Sequence, residues 1–219
     1  MKISYWCYII VFVFIISPAL LIGQSSGLSE WNLHGFTGIN FSTISHDEDS
    51  DTNSRLGLDL GIGVEREFFG FPIIARILFS QRGAKWSWEG YDYGGDFKGE
   101  SKERINYLSI PVMVKYPILQ GYVLAGPQMS FLLGGKEKLE ETWGGVKDKW
   151  EADVKEYKKG VDFGLVFGGG YPIPCSWREI TVEVMYYFGL MDINDWEDDD
   201  HHTYKNRALL VGVTIPITK

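Results

Sequence analysis

The chain has 219 residues, 45% hydrophobic and 15% aromatic, with only 2 Cys. That composition excludes low-complexity disorder and a disulfide-stapled scaffold, and the length suits one domain with its own core. A formal charge of −8 argues against sequence-independent nucleic-acid binding, which needs a basic face, so no nucleic acid is expected among its partners.

Lys2 is the sole charge before Glu30, and an apolar run from Tyr5 to Ile22 ends at Gly23 before the polar Gln24-Ser25-Ser26. One positive charge, an apolar stretch and a small residue before a polar start predict a signal peptide over residues 1–23, leaving 24–219 as the mature domain. An uncleaved membrane anchor is the alternative. Cys175 is then the one cysteine of the mature chain, in the turn sequence Pro172-Ile173-Pro174-Cys175, and reads as an inert small hydrophobe.

Beyond this segment the pattern is period two. Leu56-Gly57-Leu58-Asp59-Leu60-Gly61-Ile62-Gly63-Val64-Glu65 puts every aliphatic residue on one face of a strand, whereas a helix would scatter them around its circumference. The same alternation predicts strands near 33–44, 55–68, 72–84, 104–117, 121–133, 161–172, 179–190 and 206–217. Connections alternate strictly: short at Gly70-Phe71, Pro117–Gln120 and Pro174–Arg178, long at 45–54, 85–102, 134–160 and 191–206. This spacing predicts an all-β fold, an eight-stranded antiparallel transmembrane β-barrel with short periplasmic turns and long extracellular loops. Phe68, Phe69, Phe71, Tyr116, Tyr122 and Tyr171 gather at the short-turn ends, and Trp86, Trp88, Tyr91, Tyr187 and Phe188 toward the long-loop ends, as interfacial girdles would.

Several stretches resemble the PorT-like outer-membrane β-barrel proteins of Bacteroidota. Asn106-Tyr107-Leu108-Ser109-Ile110-Pro111-Val112 is similar to a "Y-L-x-I-P" strand, and Tyr122-Val123-Leu124-Ala125-Gly126-Pro127 to the strand that follows it. Asp162-Phe163-Gly164-Leu165-Val166-Phe167-Gly168 resembles a "D-F-G-x-x-x-G" strand, and Ser80-Gln81-Arg82-Gly83-Ala84 an "S-Q-K/R-G" segment. Met185 stands where related strands often carry Arg. The resemblance implies an eight-stranded barrel and, through the founding member, a role assisting protein secretion.

Candidate functional residues follow from strand phase. Glu65, Arg76, Lys115 and Glu183 fall on inward positions near the short turns, with opposite signs at similar heights, and are expected to form a charge network plugging the lumen. A lumen filled by side chains argues against a diffusion pore, so a narrow channel is the weakest functional alternative. In the third long loop Trp143, Trp150 and Tyr157 offer surface aromatics, either on a hairpin turning at Gly144-Gly145 or with Trp150, Val154 and Tyr157 on one face of a helix. The acidic stretch from Asp192 to His202, with Asp47, Glu48, Asp49 and Asp51 in the first loop, reads as solvated surface without metal-site spacing. His34, His46, His201 and His202 lack a catalytic signature beside them, so neither an enzyme nor a cofactor is expected. The expected partners are outer-membrane lipids and lipopolysaccharide, together with envelope or secretion proteins.

Overall fold

A computed structural model of the protein describes residues 31–45, 52–92, 95–143, 146–175, 179–195 and 203–217. The expected signal peptide, the acidic residues 47–51 and residues 196–202 of the 191–206 loop lie outside the described residues.

Ten strands form among them: β1 (Asn32–Ser45), β2 (Thr52–Phe68), β3 (Phe71–Arg82), β4 (Ala84–Asp92), β5 (Gly95–Ile118), β6 (Gly121–Trp143), β7 (Val146–Asp153), β8 (Val161–Pro174), β9 (Glu179–Gly189) and β10 (Lys205–Pro216). All pairings are antiparallel. They run β1–β2–β3–β5–β6–β8–β9–β10, and β10 also pairs with β1. β4 and β7 are additional. β4 pairs with β2 and β5, and β7 pairs with β6.

β4 and β7 correct the expectation of long loops at 85–102 and 134–160 and bring the described strands to ten. Both regions are largely paired backbone. β4 continues β3 past Gly83, because Arg82 faces Ile105 and Lys85 faces Lys102 in one unbroken register along β5. Gly83 has φ +140, and a Cβ there would lie 2.1 Å from the Glu103 carbonyl oxygen, so only glycine carries the chain through this bend. β6 and β7 pair down to Trp143 and Val146, which favours a hairpin over the helical alternative for this loop. A single 3₁₀ turn, Val154–Glu156, capped by Asp153, leads from β7 toward β8.

Each strand segregates its two faces as the period-two pattern predicts. On β2 the aliphatic residues Leu56, Leu58, Leu60 and Ile62 point outward and stay exposed, Ile62 at 59%, while Asp59 is buried. Ile39, Ile77, Val114, Val123, Phe167, Val184 and Leu209 continue this exposed apolar surface on the other strands. Polar groups lie inside and apolar groups outside, the reverse of a water-soluble protein and the arrangement a lipid solvent selects. The interior also holds an apolar layer of Phe36, Ile74, Leu78, Met113, Leu124, Val166 and Met185. Above it sits a second cluster of Ile44, Ala84, Ile105, Tyr107, Val154 and Ile193.

Two of the short connections fall where expected, and residues 176–178 of the third lie outside the described residues. Phe69 and Gly70 join β2 to β3 with φ of 51° and 82°, the left-handed pair that a two-residue type I′ hairpin turn requires. Leu119, φ 54°, turns β5 into β6. One register shift, at Asn106/Tyr107 opposite Gly134, changes the phase of β6. Leu132 and Ser130 are inward-phase below it, and Glu137 and Leu139 above it.

Candidate functional site

Arg76, on β3, and Glu183, on β9, meet inside the protein. Arg76 Nη1 donates to Glu183 Oε2 at 2.6 Å and Nη2 to Oε1 at 2.7 Å, a two-pronged pair with both side chains at 0% exposure. The remaining guanidinium valences are also used: Nε donates to His34 Nε2 at 3.2 Å, and Nη2 reaches Thr214 Oγ1 at 3.3 Å. The Phe36 ring lies 4.7 Å below the guanidinium carbon. Gly63 makes this crowding feasible, since a Cβ there would sit 2.4 Å from His34 Nε2 and 2.7 Å from Arg76 Cγ.

Lys115, on β5, and Glu65, on β2, form a second pair nearby, Nζ to Oε2 at 3.0 Å. Tyr122 joins the two pairs. Its hydroxyl donates to Glu183 Oε1 at 2.5 Å, and its ring lies 4.5 Å from Lys115 Nζ. The structure thus brings Glu65, Arg76, Lys115 and Glu183 together, around a cavity of about 210 Å³ that His34, Thr181 and Thr214 also line. Tyr122 is a correction to the girdle expectation: even-numbered positions of lower β6 point inward, so this ring belongs to the lumen. His34 was visible in the sequence only as a lone histidine, and strand phase, which puts it beside Phe36 on the inner face, was the signal that could have placed it.

A second polar layer lies toward the long-loop end. Arg82, on β3, pairs with Asp162, on β8, at 3.2 Å and donates to Ser109 and Ser130. Asn206, on β10, donates to Asp162 Oδ2 at 2.9 Å and to Tyr107 Oη at 3.2 Å. Tyr187 stacks on the Arg82 guanidinium at 4.0 Å, so this residue too is luminal and outside any girdle. Asn40 donates to Asp59 beside it. Buried charges persist only where such partners replace water. The Ser80–Ala84 and Asp162–Gly168 segments quoted above supply Arg82 and Asp162, but linear order gave no sign that the two would touch across 80 positions.

Above the second layer, Lys158 pairs with Glu103 at 3.1 Å, and Tyr157 donates to Glu137 at 2.7 Å. Tyr157 is half-buried against Ile44, Ala84, Ile105 and Val154, apart from Trp143 and Trp150. Those two sit on the outer sheet of β4, β5, β6 and β7. Cross-strand register gives one face of this sheet three rows: Trp86, Ser101, Leu139 and Trp150; then Trp88, Gly99, Glu141 and Asp148; then Gly90, Phe97, Trp143 and Val146. Trp88 lies flat over Gly99 and Phe97 over Gly90, where any Cβ would meet the ring. Phe97 stacks on Trp143 with centroids 5.6 Å apart. Trp150, 59% exposed, and Trp143 remain open to solvent. The other face of the sheet is charged, carrying Lys98, Lys138, Glu140, Lys149 and Glu151.

An antiparallel sheet with an apolar exterior, a polar interior and two stacked ion-pair layers defines an outer-membrane β-barrel. The sequence model of the family described as "Outer membrane protein beta-barrel domain" matches residues 22–195, and the chain belongs to that family. It is a transmembrane protein of the Gram-negative outer membrane. No curated protein sequence matches it. Among solved structures it is similar to Neisserial surface protein A, NspA, at 11% identity and TM-score 0.40, over 84% of this chain and 96% of that one. It is similar to Ail, the attachment invasion locus protein of Yersinia pestis, at 15% identity and TM-score 0.38, over 85% and 99%. The outer membrane protease OmpT of Escherichia coli shares 8% identity at TM-score 0.44, over 89% and 99%.

Proposed function

We propose that the protein is a non-enzymatic, eight-stranded outer-membrane barrel with an envelope structural or surface-interaction role, its long-loop end facing outward. β1, β2, β3, β5, β6, β8, β9 and β10 form the wall, and β4 and β7 extend it beyond the membrane as hairpins. The luminal pairs Arg76–Glu183 and Lys115–Glu65 plug the short-turn end, so the protein is not a channel. Residues 1–23 act as a signal peptide, and sequencing of the purified protein is expected to begin at Gln24.

The observation that carries the surface role is the outer sheet. Trp88, Trp143, Val146 and Trp150 share one face that the rest of the described chain leaves exposed. Exposed aromatic clusters of this kind mark interaction surfaces, because their apolar area gains on contact with little loss of side-chain freedom. The partners in view are other envelope proteins and lipopolysaccharide.

An accessory role in a secretion machine, as the PorT-like resemblance implies, is the second reading. It is favoured by Phe69 and Leu119, which project fully exposed from two short turns that face the periplasm in this orientation.

A photo-crosslinking residue placed at 143, 150, 69 or 119 in intact cells separates the two. Adducts from 143 and 150 with a surface component support the first reading. Adducts from 69 and 119 with secretion subunits at near-equal stoichiometry support the second. Absence of reproducible adducts at 143 and 150 removes the surface role.

A further inference from the structure

Immediately beyond the apolar band, the outward face of β4, β5 and β6 carries a concentrated block of cations. Along these strands the last complete apolar outward row is Phe79, Leu108 and Phe131, followed by Gln81 and Asn106, which bond to each other, with the exposed Leu133 on β6 at the same level. The next two rows are basic. Arg104 lies directly opposite Lys136, and above them Lys85, Lys102 and Lys138 face one another in register across three neighbouring strands. Like charges placed directly opposite on a sheet repel.

The carboxylates at hand do not neutralise this block. Glu151 is shared, bonding both Lys136 and Lys138, and Glu100 takes Lys102. Among the described residues, Lys85 and Arg104 have no carboxylate partner. Arg55, on β2, adds a further cation: it is close enough to feel the Arg104 charge, and its Nη1 is enclosed without a hydrogen-bond partner.

Position selects the occupant. The two rows stand four and six residues beyond Leu108, about 13 and 20 Å along a strand at ~3.3 Å per residue, and less along the membrane normal because barrel strands tilt. That is headgroup depth. Long cationic side chains there reach back toward lipid while their stems cover apolar surface.

We infer that Lys85, Lys102, Arg104, Lys136 and Lys138 form a binding ledge for the phosphate groups of an outer-leaflet glycolipid, the phosphorylated disaccharide headgroup of lipopolysaccharide. Arg104 supplies a planar fork for one phosphate, and the lysine row supplies point charges for a second. Occupation relieves the cross-strand repulsion and fixes the β4–β7 sheet upright on the lipid surface. The next row outward, Glu100 opposite Glu140, is acidic and bounds the site on its solvent side.

The inference rests on the outward assignment of the long-loop end. Labelling of Lys147 and Lys149 on intact cells tests that assignment separately.

The test of the ledge is native mass spectrometry of the full-length mature protein in detergent, titrated with diphosphorylated lipid A, phosphate-free lipid A and phosphatidylglycerol. The expected result is selective retention of diphosphorylated lipid A. Retention falls by about tenfold or more in the quadruple variant Lys102→Gln, Arg104→Gln, Lys136→Gln, Lys138→Gln, as loss of several charge-assisted bonds predicts. A control removing the more distal Lys147 and Lys149 leaves retention unchanged. Heat-modifiable migration on gels verifies that each variant is folded. Equal retention of phosphate-free lipid A, equal retention of phosphatidylglycerol, or a quadruple variant that binds as the parent does would each overturn the ledge.

Discussion

Arg76 and Glu183, 107 positions apart, form a two-pronged ion pair at zero exposure inside the barrel. Removing one member of such a pair strands the other charge away from water, at a cost of about 3–5 kcal/mol, whereas replacing both by apolar residues of similar volume is often neutral. Arg76→Met is therefore expected to lower the melting temperature in detergent markedly. Arg76→Met combined with Glu183→Met is expected to recover most of the loss, because Tyr122 and His34 have weaker demands than a bare carboxylate. An unchanged melting temperature for Arg76→Met would sink the plug.

Gly63 opens the space that His34 and Arg76 occupy, with a Cβ reaching within 2.4 Å of the imidazole. Gly63→Val should expel one of the two and destabilise the barrel to an extent comparable with Arg76→Met. Gly160→Ala, where nothing lies within 4 Å, should leave thermal unfolding unchanged. Parallel melts of the two variants check this.

Leu60 lies in the exposed apolar surface of β2, one residue from the buried Asp59. If lipid covers it, Leu60→Arg reduces folding stability in bilayers by ~2–4 kcal/mol, the depth-dependent cost of a cation on a barrel's lipid face. Leu60→Phe should be tolerated. Urea titrations into lipid vesicles measure the difference, and a neutral Leu60→Arg would place this face in water.

The outer hairpin has its own pH response. A hydrogen bond from Lys136 to Glu151, with the ammonium charge behind it, holds the Glu151 carboxyl below the usual carboxylate range. The folded-state value is depressed, so the pair's stabilisation is present above the ordinary pKa of a free glutamate and disappears as pH falls through the lower folded value. Carbon-detected NMR titration should find the Glu151 midpoint below 4.5, and Lys136→Met should return it toward that value.

Strand phase was legible wherever one side of a strand meets lipid. Leu56 to Glu65 alternates so strictly that inward and outward assignments followed directly, and Arg76, Arg82, Asp162 and Glu183 were all visible as inward residues on their own strands. Strand β4 is less legible, although Trp86, Ser87, Trp88 and Glu89 alternate too. Above the membrane neither face of a strand must be apolar, so the contrast that marks a wall strand fades. The phase of Tyr122 and Tyr187 is hidden for another reason: an aromatic near a strand end suits a girdle or a lumen equally in one dimension.

The amino-acid sequence by itself determined the material of the protein: β-strands of alternating polarity, tight turns at one end and long connections at the other, and a stock of inward charges. A local steric rule, that successive side chains alternate across a strand, is enough for that. Only the tertiary structure decided which charges meet. Partners such as Arg76 and Glu183, Arg82 and Asp162, or Lys102 and Lys138 are set by register between strands distant in the chain, and a slip of one residue would turn every side chain of a strand to the opposite face.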